Sequence, residues 1–318
     1  MYRLGALSVL SVAIACSGQT GEAPESARER TREMLGRWDV TAGNGDEYPL
    51  WFELVEEEGR IRGTFQGRFG HAVSMERTEV SDEGLTFRVS SDTYTGSLAE
   101  ERWEGTARKE DGSTLQWTAV RAPELKPPDD PRWGDSVELF NGTDLSGWVA
   151  RHPLEPNMWR AEGGVLANRG KGTDLVTEAR FGDFKLHIEV NCPEGGNSGI
   201  YLRGRYEVQV QDDYGKEASS RRMGGIYGQV DPTQNAAKPA GEWQAFDIVL
   251  LGRWVTASLN GKTIIDHQEI PGITGGALDS REGEPGPLML QGDHGPVSYR
   301  NIVLTPVLEG SETEEDRP

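Results

Sequence analysis

Cysteine is nearly missing from this sequence of 318 residues, where only Cys16 and Cys192 occur. A disulfide framework of the kind that staples small secreted domains is therefore excluded. Histidine is scarce too, at five residues, and none stands at a recognised zinc-ligand spacing. Basic residues are outnumbered, 33 Lys and Arg against 52 Asp and Glu, leaving a formal net charge of −19. Such a field repels phosphate backbones and anionic lipid, so nucleic acid is not an expected partner. The apolar stretch Leu4 to Ala15 is shorter than the roughly 20 residues needed to cross a bilayer as a helix. Long Ala/Leu/Glu/Lys runs of helical period are absent as well. What is plentiful is Gly, at 41 residues, with 17 Pro, a composition that suits many short strands joined by tight turns. The length suits two domains, so the expected class is all-β with two cores.

The chain divides by composition. Arg3 followed by the apolar stretch to Ala15 reads as an export signal over 1–15, and Ala13-Ile14-Ala15-Cys16 resembles a lipobox, which implies lipid on Cys16. The expected location is the cell envelope, periplasmic or outer-membrane anchored, with the Cys16 lipid as the sole membrane contact; ordinary secretion is the alternative. Residues 16–32 are small, polar and charged, as in a flexible tether. Across 33–121 eight alternating segments are broken by Asn44-Gly45, Glu58-Gly59, Asp82-Glu83-Gly84 and Asp111-Gly112. These turns predict an antiparallel meander closed into a small barrel, since closure removes exposed edges. Its Gly36-Arg37-Trp38 opening resembles that of lipocalins, although a structural or docking barrel fits the sequence better than a ligand carrier. Pro123, Pro127, Pro128 and Pro131 mark a semi-rigid linker over 122–135. Many short strands follow across 136–308, as expected of two packed antiparallel sheets, with Asn260-Gly261 predicting a two-residue hairpin. The acidic segment 309–318 is expected to fray. Once a signal is removed Cys192 has no partner, and a buried structural thiol is expected there.

Period-two reading of the second domain sets apolar residues on one face and planar hydrogen-bonding groups on the other. Phe184, Leu186, Ile188 and Val190 oppose Lys185, His187 and Glu189. Ile200 and Leu202 oppose Tyr201 and Arg203, while Tyr206, Val208 and Val210 oppose Glu207, Gln209 and Gln211. Leu288 and Leu290 oppose Gln291, ahead of Asp293-His294-Gly295. Such side chains make the paired hydrogen bonds of a sugar-binding wall. A plain solvated sheet face is the competing reading, and Trp148, Trp159 and Trp243 read as core rather than sugar platforms.

The ordered segments Leu139-Phe140-Asn141-Gly142-Thr143-Asp144-Leu145-Ser146-Gly147-Trp148, Asn197-Ser198-Gly199-Ile200, Tyr206-Glu207-Val208-Gln209, Gly225-Ile226-Tyr227-Gly228, Gly241-Glu242-Trp243, Leu259-Asn260-Gly261 and Leu290-Gln291-Gly292-Asp293-His294-Gly295 closely resemble the 3-keto-disaccharide hydrolase domain family. The resemblance spans about Ser136 to Pro306 and leaves the first domain outside. It implies a concanavalin A-like jelly-roll sandwich with lyase and hydratase action on 3-keto-glucosides. Gly292, between Gln291 and Asp293, departs from a tighter Gln-Asp-His form and leaves the placement of His294 open.

Such chemistry needs a base for the C2 proton and an electrophile for the developing enolate oxygen. His294 or Glu207 is the candidate base and Arg203 the candidate electrophile. Glu189, Asn197, Tyr201, Gln209, Asp212, Tyr227 and Gln291 are candidate substrate ligands. A divalent metal on Glu207 and His294 is an alternative to Arg203; no other cofactor is expected. Structural alternatives stand beside these roles: a buried ion pair for Arg203 with Glu207 or Glu189, and a turn brace for His294. At the level of the whole protein the alternatives are a non-catalytic carbohydrate-binding module and a cell-envelope interaction protein.

Overall fold

The computed structural model describes residues 25–45, 47–81 and 83–308. The export signal, Cys16 and the acidic segment lie outside these residues, as does the first part of the tether. The rest of the tether is not a tether. Residues Glu25–Met34 form helix α1, whose Glu, Arg and Ala content carries good helix propensity. Its last turn is fixed at the barrel: Met34 is buried in the barrel core, and Arg121 donates to the carbonyls of Glu33 and Leu35. A cation over the last carbonyls of a helix satisfies groups that have no partner within it.

The first sheet contains β1 (Gly36–Ala42), β2 (Tyr48–Glu57), β3 (Arg60–Gln66), β4 (Val73–Ser74), β5 (Glu76–Ser81), β6 (Gly84–Val89), β7 (Asp92–Ala99), β8 (Arg102–Arg108) and β9 (Thr114–Arg121). It runs β4-β3-β2-β1-β9-β8-β7-β6-β5, and every pairing is antiparallel. One of the eight alternating segments, Ala72 to Thr78, is not a single strand but bends at Met75 into β4 and β5. Its two halves pair with β3 and β6, which brings the ends of the sheet together. The interior is filled by Trp38, Phe52, Phe65, Phe87, Tyr94, Trp103 and Trp117. Gly96 and Gly105 stand where any Cβ would collide with the Trp117 ring, so they admit that side chain into the curved sheet.

The Pro-rich segment is no free spacer. Leu125 accepts from the Arg253 amide at 3.3 Å, Gly134 donates to Pro306 at 2.9 Å, and Trp133 bridges to Val307. Beyond it come β10 (Val137–Glu138), β11 (Trp148–Ala150), β12 (Trp159–Glu162), β13 (Val165–Asn168), β14 (Leu175–Thr177) and β15 (Phe184–Asn191). These are followed by β16 (Asn197–Leu202), β17 (Tyr206–Gln211), β18 (Trp243–Leu251), β19 (Trp254–Leu259), β20 (Lys262–Glu269), β21 (Met289–Leu290) and β22 (Val297–Pro306). The larger sheet has the order β12-β13-β22-β15-β18-β19-β20, with β10 also on β22. The smaller has the order β11-β14-β21-β16-β17. Their inner faces, among them Leu186, Ile188, Ile200, Val208, Ile248 and Leu290, form one core, as expected of a sandwich. Asn260 (φ 53°) and Gly261 (φ 76°) make the tight turn between β19 and β20. Trp148 and Trp159 are buried.

The outer face of β1 and β2 docks on the sandwich. Trp51 joins the sandwich core, and its indole N–H donates to the Ile273 carbonyl at 2.8 Å. Arg37 reaches across to the Glu282 carboxylate and the Pro271 carbonyl. Tyr206 of β17 donates to the second oxygen of Glu282 at 2.7 Å, so a buried polar chain runs from barrel to sandwich.

Candidate functional site

The site is built on the β16–β17 pair, where Tyr201 faces Glu207, Gly199 faces Gln209 and Asn197 faces Gln211. The apolar alternates go to the core, so the polar ones line the opposite face. That face is covered rather than solvated. Segment 224–227 lies along β17 through the pairs Gly224 N–H to Gln209 O (2.8 Å), Gln209 N–H to Gly225 O (2.9 Å) and Tyr227 N–H to Glu207 O (2.9 Å). Segment 274–276 and a barrel loop close the other sides. Between them is a cavity of about 190 Å³, walled by Asn197, Tyr201, Glu207, Gln209, Tyr227, Gln291 and His294 together with Arg151, Asp174, Asp293, Gly275, Gly276, Phe69 and Gly70.

Glu207 is 4 % exposed. Its Oε2 accepts from the Tyr201 hydroxyl at 2.9 Å, and its amide donates to Thr274 Oγ1 at 2.9 Å. A Cβ at Gly199 would collide with Oε1, so the missing side chain there makes room for the carboxyl group. Burial pushes the acid up to about 8; the Tyr201 hydrogen bond and His294 oppose the shift, while Asp293 and Asp174 add to it. The Tyr201 hydroxyl is raised well above its ordinary value by its own burial and by Glu207.

His294 is half-exposed and hydrogen-bonds Asp293 through Nδ1. That bond raises the imidazole and lowers the carboxyl group of Asp293. Gly292 makes the placement feasible, because a Cβ there would strike the Thr173 carbonyl and approach Trp159 Nε1 to 2.8 Å. Its amide donates to Asp174 Oδ1 at 2.9 Å. Arg151 donates to Asp174 Oδ2 at 3.0 Å and to the Gly276 and Ala277 carbonyls at 2.9 and 3.2 Å, which fixes its guanidinium in the wall. Two acceptors among these residues are buried without a partner, Asn197 Oδ1 and Gln209 Oε1. An unpaired buried acceptor costs about 1–3 kcal/mol, and a ligand hydroxyl can recover it.

Three expected site residues lie elsewhere. Arg203 stands one residue beyond β16, where φ of 52° turns it out of the strand alternation. Its guanidinium is bound to the Gly252 carbonyl at 2.5 Å and the Tyr206 hydroxyl at 3.2 Å, with Asp183 at 3.9 Å, so neither Glu207 nor Glu189 is its partner. Glu189 belongs to β15 of the larger sheet and is held by Arg300 at 2.6 Å and Asn301 at 2.7 Å. Those two bonds outweigh its partial burial and keep its carboxyl group below the usual range. Asp212 accepts from the Gly195 amide at 3.1 Å and shapes a loop. Arg151, Asp174 and Phe69 went unread because they come from loops, one of them in the other domain.

Glu207 and His294, the candidate metal ligands, share the cavity. Among the described residues no group of three or more His, Cys, Asp or Glu side chains is disposed to hold a metal ion. The arrangement supplies a buried base, a histidine–aspartate pair, a fixed cation and unpaired acceptors for hydroxyl groups.

Residues 135–305 match the model of the 3-keto-alpha-glucoside-1,2-lyase-like domain. A curated 3-keto-disaccharide hydrolase from Bacteroides thetaiotaomicron is 23% identical over 168 residues, covering 41% of this chain and 58% of that protein. The chain therefore spans less than two thirds of this relative. Two crystal structures from Parabacteroides distasonis, provisionally described as glycosyl hydrolases, are similar to part of this chain. One is 31% identical with a TM-score of 0.46, covering 57% of this chain and 93% of that one. The other is 22% identical with a TM-score of 0.45, covering 55% and 94%.

Proposed function

Because this chain belongs to the family of 3-keto-alpha-glucoside-1,2-lyase-like domains, we propose that it cleaves 3-keto-glycosides by elimination across C1 and C2 followed by hydration. The observation that carries the reading is Glu207: a buried carboxyl group of raised basicity, held by Tyr201 beside the unpaired acceptors of Asn197 and Gln209. A ketone at C3 acidifies the C2 hydrogen. Glu207 takes that proton, and the electron pair passes into the C2–C3 enolate. The pair then returns to form C1=C2 as the C1–O bond breaks, restoring the ketone. Protonated His294, oriented by Asp293, gives its proton to the departing oxygen. Water then adds at C1, giving a proton back to His294, while Glu207 returns its proton to C2, so both groups are restored and the net change is one water consumed per glycosidic bond. Arg151 takes the place expected for Arg203 and faces the oxyanion. Asn197, Gln209, Tyr227 and Gln291 hold the ring hydroxyls.

A base matched to working pH contributes roughly 10²–10⁴ in rate. Glu207→Gln should therefore cut aglycone release from a chromogenic 3-keto-glucoside by about that factor. In D₂O, hydrogen at C2 should exchange in the wild type and not in the variant. Release by Glu207→Gln at the wild-type rate, or from an unoxidised glucoside as fast as from the 3-keto form, would sink the mechanism. A carbohydrate-binding module uses the same acceptors but gains nothing from burying an ionisable acid. The apolar stretch ending at Cys16 supports action outside the cytoplasm on a lipid anchor. Cys16→Ala should move the protein out of the membrane fraction, and a Cys16→Ala protein still found in that fraction would remove the anchor.

A further inference from the structure

The cavity around Glu207 does not stand alone. A second of about 680 Å³ adjoins it, and the two share Phe69, Arg151, Asp174, Gly276 and Asp293 as lining. One side of the larger cavity is barrel, through Glu47, Tyr48, Pro49 and Arg68, and the other is sandwich, including His152 and Glu155. Phe69 stands where the two meet.

Its loop is held rather than loose. The Arg68 carbonyl accepts from the Gly276 amide at 2.9 Å, and Gln66 Nε2 donates back to the Gly67 and Gly70 carbonyls at 2.9 and 3.1 Å. His71 Nε2 meets Arg221 Nη2 at 2.6 Å. Gly275 and Gly228 have no Cβ where one would press on Gly70 and on His71 respectively, so the sandwich is shaped to receive this loop. The Arg68 guanidinium lies 4.7 Å from the Tyr48 ring centre and 5.2 Å from that of Phe69, which ties the ring to the barrel wall. Despite this support Phe69 is 73% exposed. An aromatic ring fixed by its backbone, backed by a cation and left bare at a cavity junction gives the fold no burial in return. It gives a ligand a flat apolar surface.

On the proposed reading, the glycone hydroxyls meet Asn197 and Gln209 in the smaller cavity, so the group on C1 extends past Phe69 into the larger one. We infer that Phe69 is a specificity-determining residue, a stacking platform brought in by the barrel for a ring-bearing leaving group such as a second sugar. The C–H face of a pyranose is apolar, and an aromatic ring covers it. The barrel thus completes a second subsite of the sandwich.

The test compares full-length wild type, Phe69→Ala and Phe69→Tyr on a 3-keto-disaccharide and on methyl 3-keto-glucoside, whose leaving group has no ring. The kcat/KM ratio of disaccharide to methyl glycoside should fall about tenfold in Phe69→Ala, the size expected for truncating an aromatic anchor, and chiefly through KM. Phe69→Tyr should keep the wild-type ratio. Equal loss on both substrates, or no loss, overturns the inference while leaving the reaction intact. Turnover of neither substrate by the wild type overturns the reaction itself, and the inference with it.

Discussion

A carboxyl group that releases its proton near pH 8 is a poor base in acid and a useful one at neutrality and above. Glu207 lies there because burial outweighs the Tyr201 hydrogen bond. Its protonated form cannot accept the C2 proton, so loss of that proton should give kcat/KM a rising limb through about 8, opposed by a falling limb from deprotonation of His294, which its bond to Asp293 shifts upward. A profile flat from pH 6 to 9 would argue against Glu207 as the base. Gly199→Ala should reduce activity by displacing the Glu207 carboxyl group, with an overpacking cost of about 1–3 kcal/mol in stability. Arg203 bears on stability alone. Arg203→Met leaves the Gly252 carbonyl and Tyr206 hydroxyl short of a donor, for an expected loss of about 1–3 kcal/mol by denaturant titration, with turnover retained in the folded fraction. The period-two pattern revealed Glu207, Gln209 and Tyr201 because one strand pair fixes their common face. It misplaced Arg203, since alternation stops where the turn begins. Glu189 was misplaced because β15 shows the same alternation in a different sheet, and a pattern of period two does not say which sheet a strand joins.

Among the elements, β1 carries the junction between the domains. Trp38 and Val40 point into the barrel, and Arg37 and Asp39 point out toward Glu282. Burial, then Glu282, push Asp39 up to about 8 against the pull of Arg37 and Arg253. The folded chain therefore holds a proton that the unfolded chain loses at ordinary carboxylate values. Stability should be greatest in mild acid, decline as pH climbs from about 4 toward about 8, and level off above. The slope from this group is at most about 1.4 kcal/mol per pH unit. Urea midpoints at pH 5, 7 and 9 should show that decline in the wild type and a shallower one in Asp39→Asn. Strands and turns were largely legible, Asn260-Gly261 most directly. The bend at Met75 was not, because barrel closure rather than local sequence sets it. Helix α1 was missed because its stretch lacks an apolar period. Met34 and Leu35 lie at its very end, where the helix meets the barrel.

At the scale of the molecule, two domains that composition separates are joined by Trp51, Arg37 and the loop of Phe69. Trp51→Ala removes a side chain from the sandwich core at an expected cost of about 3–5 kcal/mol, and with it the bond to Ile273. Calorimetry should show one unfolding transition in the wild type and two in this variant; a single unshifted peak in both would mean that the domains were never coupled there. No linear pattern announces such a junction, since Trp51 alternates like any outward residue until the other domain covers it.

Cys192 allows that coupling to be timed. Its sulfur packs against Gly196 at the edge of the sandwich core, and burial pushes the thiol up to about 12. A maleimide at neutral pH should leave this position unmarked for as long as the sheets stay closed, then attach whenever they part. The mass of the peptide containing Cys192, followed over hours, becomes a stopwatch for the opening of the native protein.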